Sequence, residues 1–277
     1  MGHFINVGDE NSTSIDLYYE DHGSGKPVIL IHGWPLNCDS WEKQVPALLD
    51  AGYRVIMYDR RGFGRSSKPT VGYDYDTFAA DLDKVIRELD LYDTTLVGFS
   101  MGGGEVARYL GVYGSKRINK AVFMGAITPF LLKTSDNEKG VDGAVFEDFQ
   151  NSIAKDRLAF LSTFLSNFYN VDVLKGSKVS EEVVTSSWNA ASVASPQGTL
   201  DCVGAWLTDF REDLKSIDIP VLVIHGEQDR IVPIENSGKN MPHFIKDCKL
   251  VEVKDAPHGL NWTHSEYINP ELLDFLG

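Results

Sequence analysis

The stretch Gly98-Phe99-Ser100-Met101-Gly102 sets one hydroxyl between two glycines. A serine hydroxyl is a poor nucleophile at neutral pH and becomes a useful one only beside a base. The pattern G-x-S-x-G gives such a serine a place, on a sharp turn from a strand into a helix at the top of a sheet. A glycine-rich surface loop could carry the same letters, so the flanks decide. Thr94–Phe99 is short and apolar, as a buried strand is, and Met101–Tyr113 reads as a helix.

The partners of such a serine follow it in the order acid, then histidine. Asp229 stands in "VLVIHGEQDRIVP" just beyond an apolar run, and His258 stands in "KDAPHGLNW" just beyond "KLVEVK". Both fall where strands end, the edge at which open α/β sheets bind ligands. Glu227 and Asp255 compete for the acid's place but lack the spacing after a strand. His32 and His225 also end apolar runs, and structural hydrogen bonding is their expected role. His3, His22, His243 and His264 read as surface residues.

Acyl transfer also needs donors for the oxyanion. The backbone N–H of Met101, next after the serine, is one. The loop "IHGWPLNCDSW" supplies the other, with Trp34 N–H as the candidate because His32-Gly33 turn the chain toward Ser100. The Trp34-Pro35 bond is open to either isomer.

These residues need a scaffold. "VILIHG" (Val28–Gly33), "RVIMYD" (Arg54–Asp59), "TTLVGF" (Thr94–Phe99), "KAVFMGA" (Lys120–Ala126) and "VLVIHG" (Val221–Gly226) read as strands buried on both faces. Helices are expected over Ser40–Ala51, Tyr75–Leu91, Met101–Tyr113, Ile234–Met241 and His264–Phe275. Such alternation predicts an α/β fold with a mostly parallel central sheet flanked by helices. "FINV" and "IDLYYE" precede any helix and read as an antiparallel hairpin at the sheet edge. From Thr128 to Ser216 the rhythm breaks into helix formers and aromatics, too long for one crossover, so a helical insertion is expected. The division is then a core over residues 1–127, an insertion over 128–216 and the rest of the core over 217–277.

Composition bounds the function. The 277 residues carry a formal net charge of −14, which disfavours nucleic acid and anionic membrane as partners. No apolar run approaches the ~20 residues of a membrane span. Cys38, Cys202 and Cys248 have neither disulfide nor metal-ligand spacing, so a cytoplasmic protein with reduced thiols is expected. The seven histidines show no paired ligand spacing, and no metal or other cofactor is expected. "YDRRGFGRSS" lacks the Lys-Ser/Thr pair of a phosphate loop and reads as a turn after a strand.

Taken together, "IHGWPL", "YDRRGFGRSS", "GFSMGGGEVARY", "DFREDLKSIDIPVLVIHGEQDRIVP" and "APHG" resemble the cofactor-free haloperoxidases, with the related arylesterases and γ-lactamases, of the α/β-hydrolase fold. The likeness runs nearly the whole length. It implies a triad of Ser100, Asp229 and His258, oxyanion donors at Trp34 and Met101, and a cap made by the insertion. By the same likeness Trp34, Ile127, Phe130, Phe164, Phe168, Trp206 and Ile231 line an acyl pocket, unless the aromatics among them are the cap's own core. Leu131–Gly140 resembles the group least, and substrate choice is expected to depart there.

The resemblance implies hydrolysis of small carboxylic esters, opening of γ-lactams in some members, and formation of peracids from a carboxylic acid and peroxide. Metal-free halide oxidation as the main activity is the alternative. A non-catalytic ligand receptor on the same scaffold is the reading from another class, disfavoured by an intact triad. Haloalkane dehalogenases and epoxide hydrolases carry an aspartate at the elbow, which Ser100 argues against. The partner is thus a small molecule; a homo-oligomer is compatible with the sequence.

Overall fold

A computed structural model describes residues 2–277 of the chain. Its sheet has eight strands in the order β1-β2-β4-β3-β5-β6-β7-β8. β1 (His3–Glu10) and β2 (Thr13–His22) form a hairpin that pairs antiparallel and joins the edge of β4 (Arg54–Tyr58). Asn11 and Ser12 at its tip have φ of 48° and 67°, the left-handed pair that a two-residue hairpin turn requires.

From β4 onward the sheet is parallel: β3 (Pro27–Ile31), β5 (Thr94–Phe99), β6 (Ile118–Met124), β7 (Val221–Gly226) and β8 (Cys248–Val253). β5 and β7 are buried at every position, as runs apolar on both faces require. The chain leaves β3 toward β4 and returns to place β5 on the other side of β3. Loops after β3 and β5 therefore part at their carboxyl ends and leave a crevice there.

Helices cover both faces. α1 is Gln44–Asp50, preceded by a 3₁₀ turn at Cys38–Trp41. α2 (Tyr75–Glu88) is capped by the Asp74 side chain, which accepts from Thr77 N at 2.9 Å, and buries Phe78, Leu82, Val85 and Ile86 along one stripe. α3 is Met101–Tyr113. Between β6 and β7 run α4 (Gly143–Phe168), α5 (Val171–Leu174), α6 (Glu181–Ser192), α7 (Pro196–Ala205) and α8 (Arg211–Lys215). α9 (Leu260–Thr263) and α10 (Ser265–Leu276) close the chain.

Two expectations need correction. Ile234–Met241 is not an α-helix; it holds short 3₁₀ turns at Ile234–Asn236 and Met241–His243. Here the Asn236 and Ser237 side chains donate to the carbonyls of Leu131 and Ala126, and Gly238 packs against the His225 ring. Tertiary hydrogen bonds of this kind override a local helical pattern. His264 is not a surface residue: it is buried, and its ring lies 2.9 Å from the Thr263 hydroxyl.

No helix among the described residues is long and apolar enough to cross a membrane. The three cysteines are free. The cluster Glu20, Cys38 and Asp39 has the spacing of a metal site among the described residues. The Arg65 guanidinium occupies it, 3.0 Å from Cys38 Sγ and 2.8 Å from Asp39 Oδ1.

Candidate active site

Ser100 sits between β5 and α3 with φ 54° and ψ −116°, a backbone state strained for any residue but glycine. Its N–H donates to Met124 O at 2.9 Å, which ties the turn to β6. The flanking glycines answer to space. A Cβ on Gly98 would stand 2.5 Å from Gly102 O, and a Cβ on Gly102 would stand 2.3 Å from Ile31 O. Only hydrogen at both positions lets the turn close on itself and on β3.

The residues from the later loops converge on this hydroxyl. His258 Nε2 lies 2.8 Å from Ser100 Oγ, and His258 Nδ1 lies 2.7 Å from Asp229 Oδ2. Asp229 Oδ1 accepts from Ile231 N at 2.9 Å and Val232 N at 2.8 Å. His225 Nε2 donates to Val232 O at 2.9 Å and passes 3.3 Å from Asp229 Oδ2. Burial raises the Asp229 pKa. The His258 charge and the hydrogen bonds from His225 and His258 outweigh that and hold it well below the usual carboxylate range. Asp229 therefore remains an anion at neutral pH and favours the His258 tautomer with its hydrogen on Nδ1.

The two loops are fastened to each other and to the junction of α4 and α5. Gln228 N donates to Ala256 O at 3.0 Å, Asn170 Nδ2 donates to Gln228 O at 2.9 Å, and Gly259 N donates to Phe168 O at 2.8 Å. Phe99 and Phe168 pack on the His258 ring at centroid distances of 5.1 and 5.0 Å. Glu227 and Asp255, the rival carboxylates, are exposed and outside this network.

The expected oxyanion donors are placed by neighbouring strands, Trp34 after β3 and Met101 after β5. Among the described residues neither backbone N–H donates to a protein acceptor. The Trp34-Pro35 bond is cis.

A narrow cavity opens beside Ser100, lined by Trp34, Ile127, Phe164, Trp206 and Ile231 of the expected set. Phe130 and Phe168 do not line it. Phe130 lies under the Arg211 guanidinium, 5.1 Å from its ring centroid, and faces an outer groove. Phe168 is wedged between Phe99, Phe164, Tyr169 and His258. Leu131, Phe146, Phe149 and Val232 complete the lining and went unread in the sequence. Phe146 and Phe149, three apart on α4, and Phe160, Phe164 and Phe168 in fourfold steps gave a helical signal for an aromatic face. The lining side chains carry no charge, so the cavity suits an uncharged, apolar group.

Residues 26–265 match the sequence pattern of the alpha/beta hydrolase fold. The chain belongs to this family. A Synechocystis protein provisionally named a non-heme chloroperoxidase is 58% identical over 99% of both chains. A bifunctional esterase/perhydrolase of Acinetobacter calcoaceticus is 40% identical over 95% of this chain and 96% of its own. The crystal structure of a bromoperoxidase from Bacillus anthracis superposes with a TM-score of 0.96 at 51% identity, covering 100% of this chain and 99% of the other. The chain is thus an enzyme of the α/β-hydrolase fold, related to non-heme haloperoxidases and esterases.

Proposed function

We propose that this α/β-hydrolase is a serine esterase for small, uncharged carboxylic esters, acting through an acyl-enzyme. The observation that carries the reading is the unbroken chain Asp229 Oδ2, His258 Nδ1, His258 Nε2, Ser100 Oγ, with steps of 2.7 and 2.8 Å. His258 takes the Ser100 proton as Oγ attacks the ester carbonyl. Asp229 fixes the imidazole tautomer and stabilises its charged form. The Trp34 and Met101 N–H groups bind the oxyanion. His258 returns the proton to the departing alcohol and then activates water against the acyl-enzyme.

With hydrogen peroxide in place of water, the acyl group leaves as a peracid and Ser100 regains its proton. Free peracid then transfers an oxygen to halide, giving the carboxylic acid and hypohalous acid with uptake of one proton. The esterase/perhydrolase name of the Acinetobacter relative favours this second outlet. Small γ-lactams are a further acyl donor for the same triad. In this reading residues 128–216 form a cap set into a core of residues 1–127 and 217–277, and its helix α4 supplies aromatic walls of the acyl pocket.

A chromogenic acetate ester tests the reading. The wild type turns it over and is inactivated by a serine-reactive phosphonate at Ser100. Ser100→Ala loses about 10⁴- to 10⁶-fold in kcat. Comparing kcat/KM for this ester, a bicyclic γ-lactam, and acetate plus peroxide with bromide ranks the outlets. Tight small-molecule binding without turnover of any of them points instead to a receptor.

A further inference from the structure

His32 is buried at the end of β3 and is no part of the triad. Its Nδ1 lies 2.9 Å from Gly33 O, and its Nε2 lies 2.9 Å from Arg60 N. A backbone N–H can only donate and a carbonyl can only accept. The pair fixes one tautomer, with hydrogen on Nδ1 and a bare Nε2. Burial and the Arg60 charge together lower the His32 pKa to about 3, so the ring keeps that neutral form.

Gly33 O belongs to the peptide whose nitrogen is Trp34 N. That bond is not among the cis peptides, and in a planar trans peptide C=O and N–H point in opposite directions. Whatever holds the Gly33 carbonyl therefore sets the direction of the Trp34 N–H. Two donors hold it: His32 Nδ1, and Leu36 N at 3.1 Å. Arg60 holds His32 from the other side. Its guanidinium donates to His32 O at 2.9 Å and to Glu105 Oε2 at 2.7 Å, and Glu105 lies on α3, the helix headed by Met101. One buried ion pair thus braces both loops from which the expected oxyanion donors come.

We propose that His32 is a positioning residue that aims the Trp34 N–H at the oxyanion through the shared peptide plane, with Arg60 and Glu105 as its brace. The inference rests on the esterase reading above. It extends that reading by assigning a catalytic consequence to a histidine outside the triad.

Two amides separate the bonds His32 makes. In His32→Asn the amide nitrogen falls where Nδ1 stands and keeps the Gly33 contact. In His32→Gln the amide reaches the Nε2 position, so Arg60 N is satisfied and Gly33 O is not. With the acetate ester, His32→Gln loses about 10²-fold in kcat with KM nearly unchanged, and a boronic acid that mimics the tetrahedral state loses affinity by a similar factor. His32→Asn stays within a few-fold of wild type on both measures. Equal losses in the two variants, or a loss confined to KM, overturn the proposal.

If neither variant folds, nitrogen NMR on the wild type decides. The expected spectrum shows His32 protonated on Nδ1, with this signal and that of the Trp34 amide both shifting when the boronic acid binds; the opposite tautomer, or no shift, overturns it. A wild type with no esterase activity and no phosphonate labelling of Ser100 fails the parent reading instead. An active wild type with insensitive His32 variants fails this inference alone.

Discussion

Asp229 keeps its charge in the interior because donors surround it: two backbone N–H groups on Oδ1, His258 on Oδ2, and His225 at 3.3 Å. That division of labour makes Asp229→Asn informative. The Oδ1 side faces two N–H groups, so the amide oxygen must turn there and the NH₂ must face His258 Nδ1. The ring then takes the other tautomer, with hydrogen on Nε2 toward Ser100, and cannot accept the serine proton. Pre-steady-state and steady-state ester assays should show kcat down by about 10⁴-fold with the fold intact by circular dichroism. A loss under tenfold would mean that Asp229 does not set the tautomer. The sequence made Ser100, Asp229 and His258 legible because their type and order are local facts. It showed His225 and His32 as strand-end histidines with a structural hydrogen-bonding role but not their partners, because the carbonyls they meet are brought near by turns.

The turn at Ser100 shows what elements add to residues. A Cβ on Gly102 would sit 2.3 Å from a backbone oxygen of β3, with no flexible side chain to yield. Gly102→Ala must push the head of α3 away from β3, and Ser100 and Met101 go with it. The expected cost is about 1–3 kcal/mol in urea unfolding and about 10²-fold or more in kcat. Gly204, within α7, is the control: its nearest neighbour to a new Cβ is a glutamine side-chain nitrogen at 3.8 Å. Gly204→Ala should stabilise by about 0.4–1 kcal/mol and leave kcat alone. Equal effects from the two substitutions would refute the packing account. Strands were legible here because runs such as "VILIHG" and "VLVIHG" are apolar throughout. The Ile234–Met241 turn was not, since its helical pattern lost to the tertiary hydrogen bonds of Asn236 and Ser237.

At the scale of the molecule, loops from four strand ends, β3, β5, β7 and β8, must meet over one crevice, and their buried polar groups tie stability to pH. His32 is the clearest case. Its ordinary pKa of 6.5 is lowered to about 3, first by burial and then by the charge of Arg60. Between those values the unfolded chain binds a proton that the folded chain refuses, so stability falls as pH falls, by about 1.4 kcal/mol per unit. The buried His264 is shifted the same way. Asp229 works in a lower window: its depressed pKa gives stability that is present above the ordinary carboxylate range and lost only as pH drops through its folded value. Glu105 and Asp81, both raised by burial, take up protons more readily when folded and oppose the histidines. The wild-type slope is therefore a sum, and the difference from His32→Asn isolates one member of it. From about pH 6.5 to about pH 5 the wild type should lose about 2 kcal/mol more in urea unfolding than His32→Asn does. Parallel slopes for the two proteins would mean that His32 takes up a proton in the folded chain as readily as in the unfolded one, and the bare Nε2 that accepts from Arg60 N would then be lost in mild acid while Nδ1–H still reached Gly33 O.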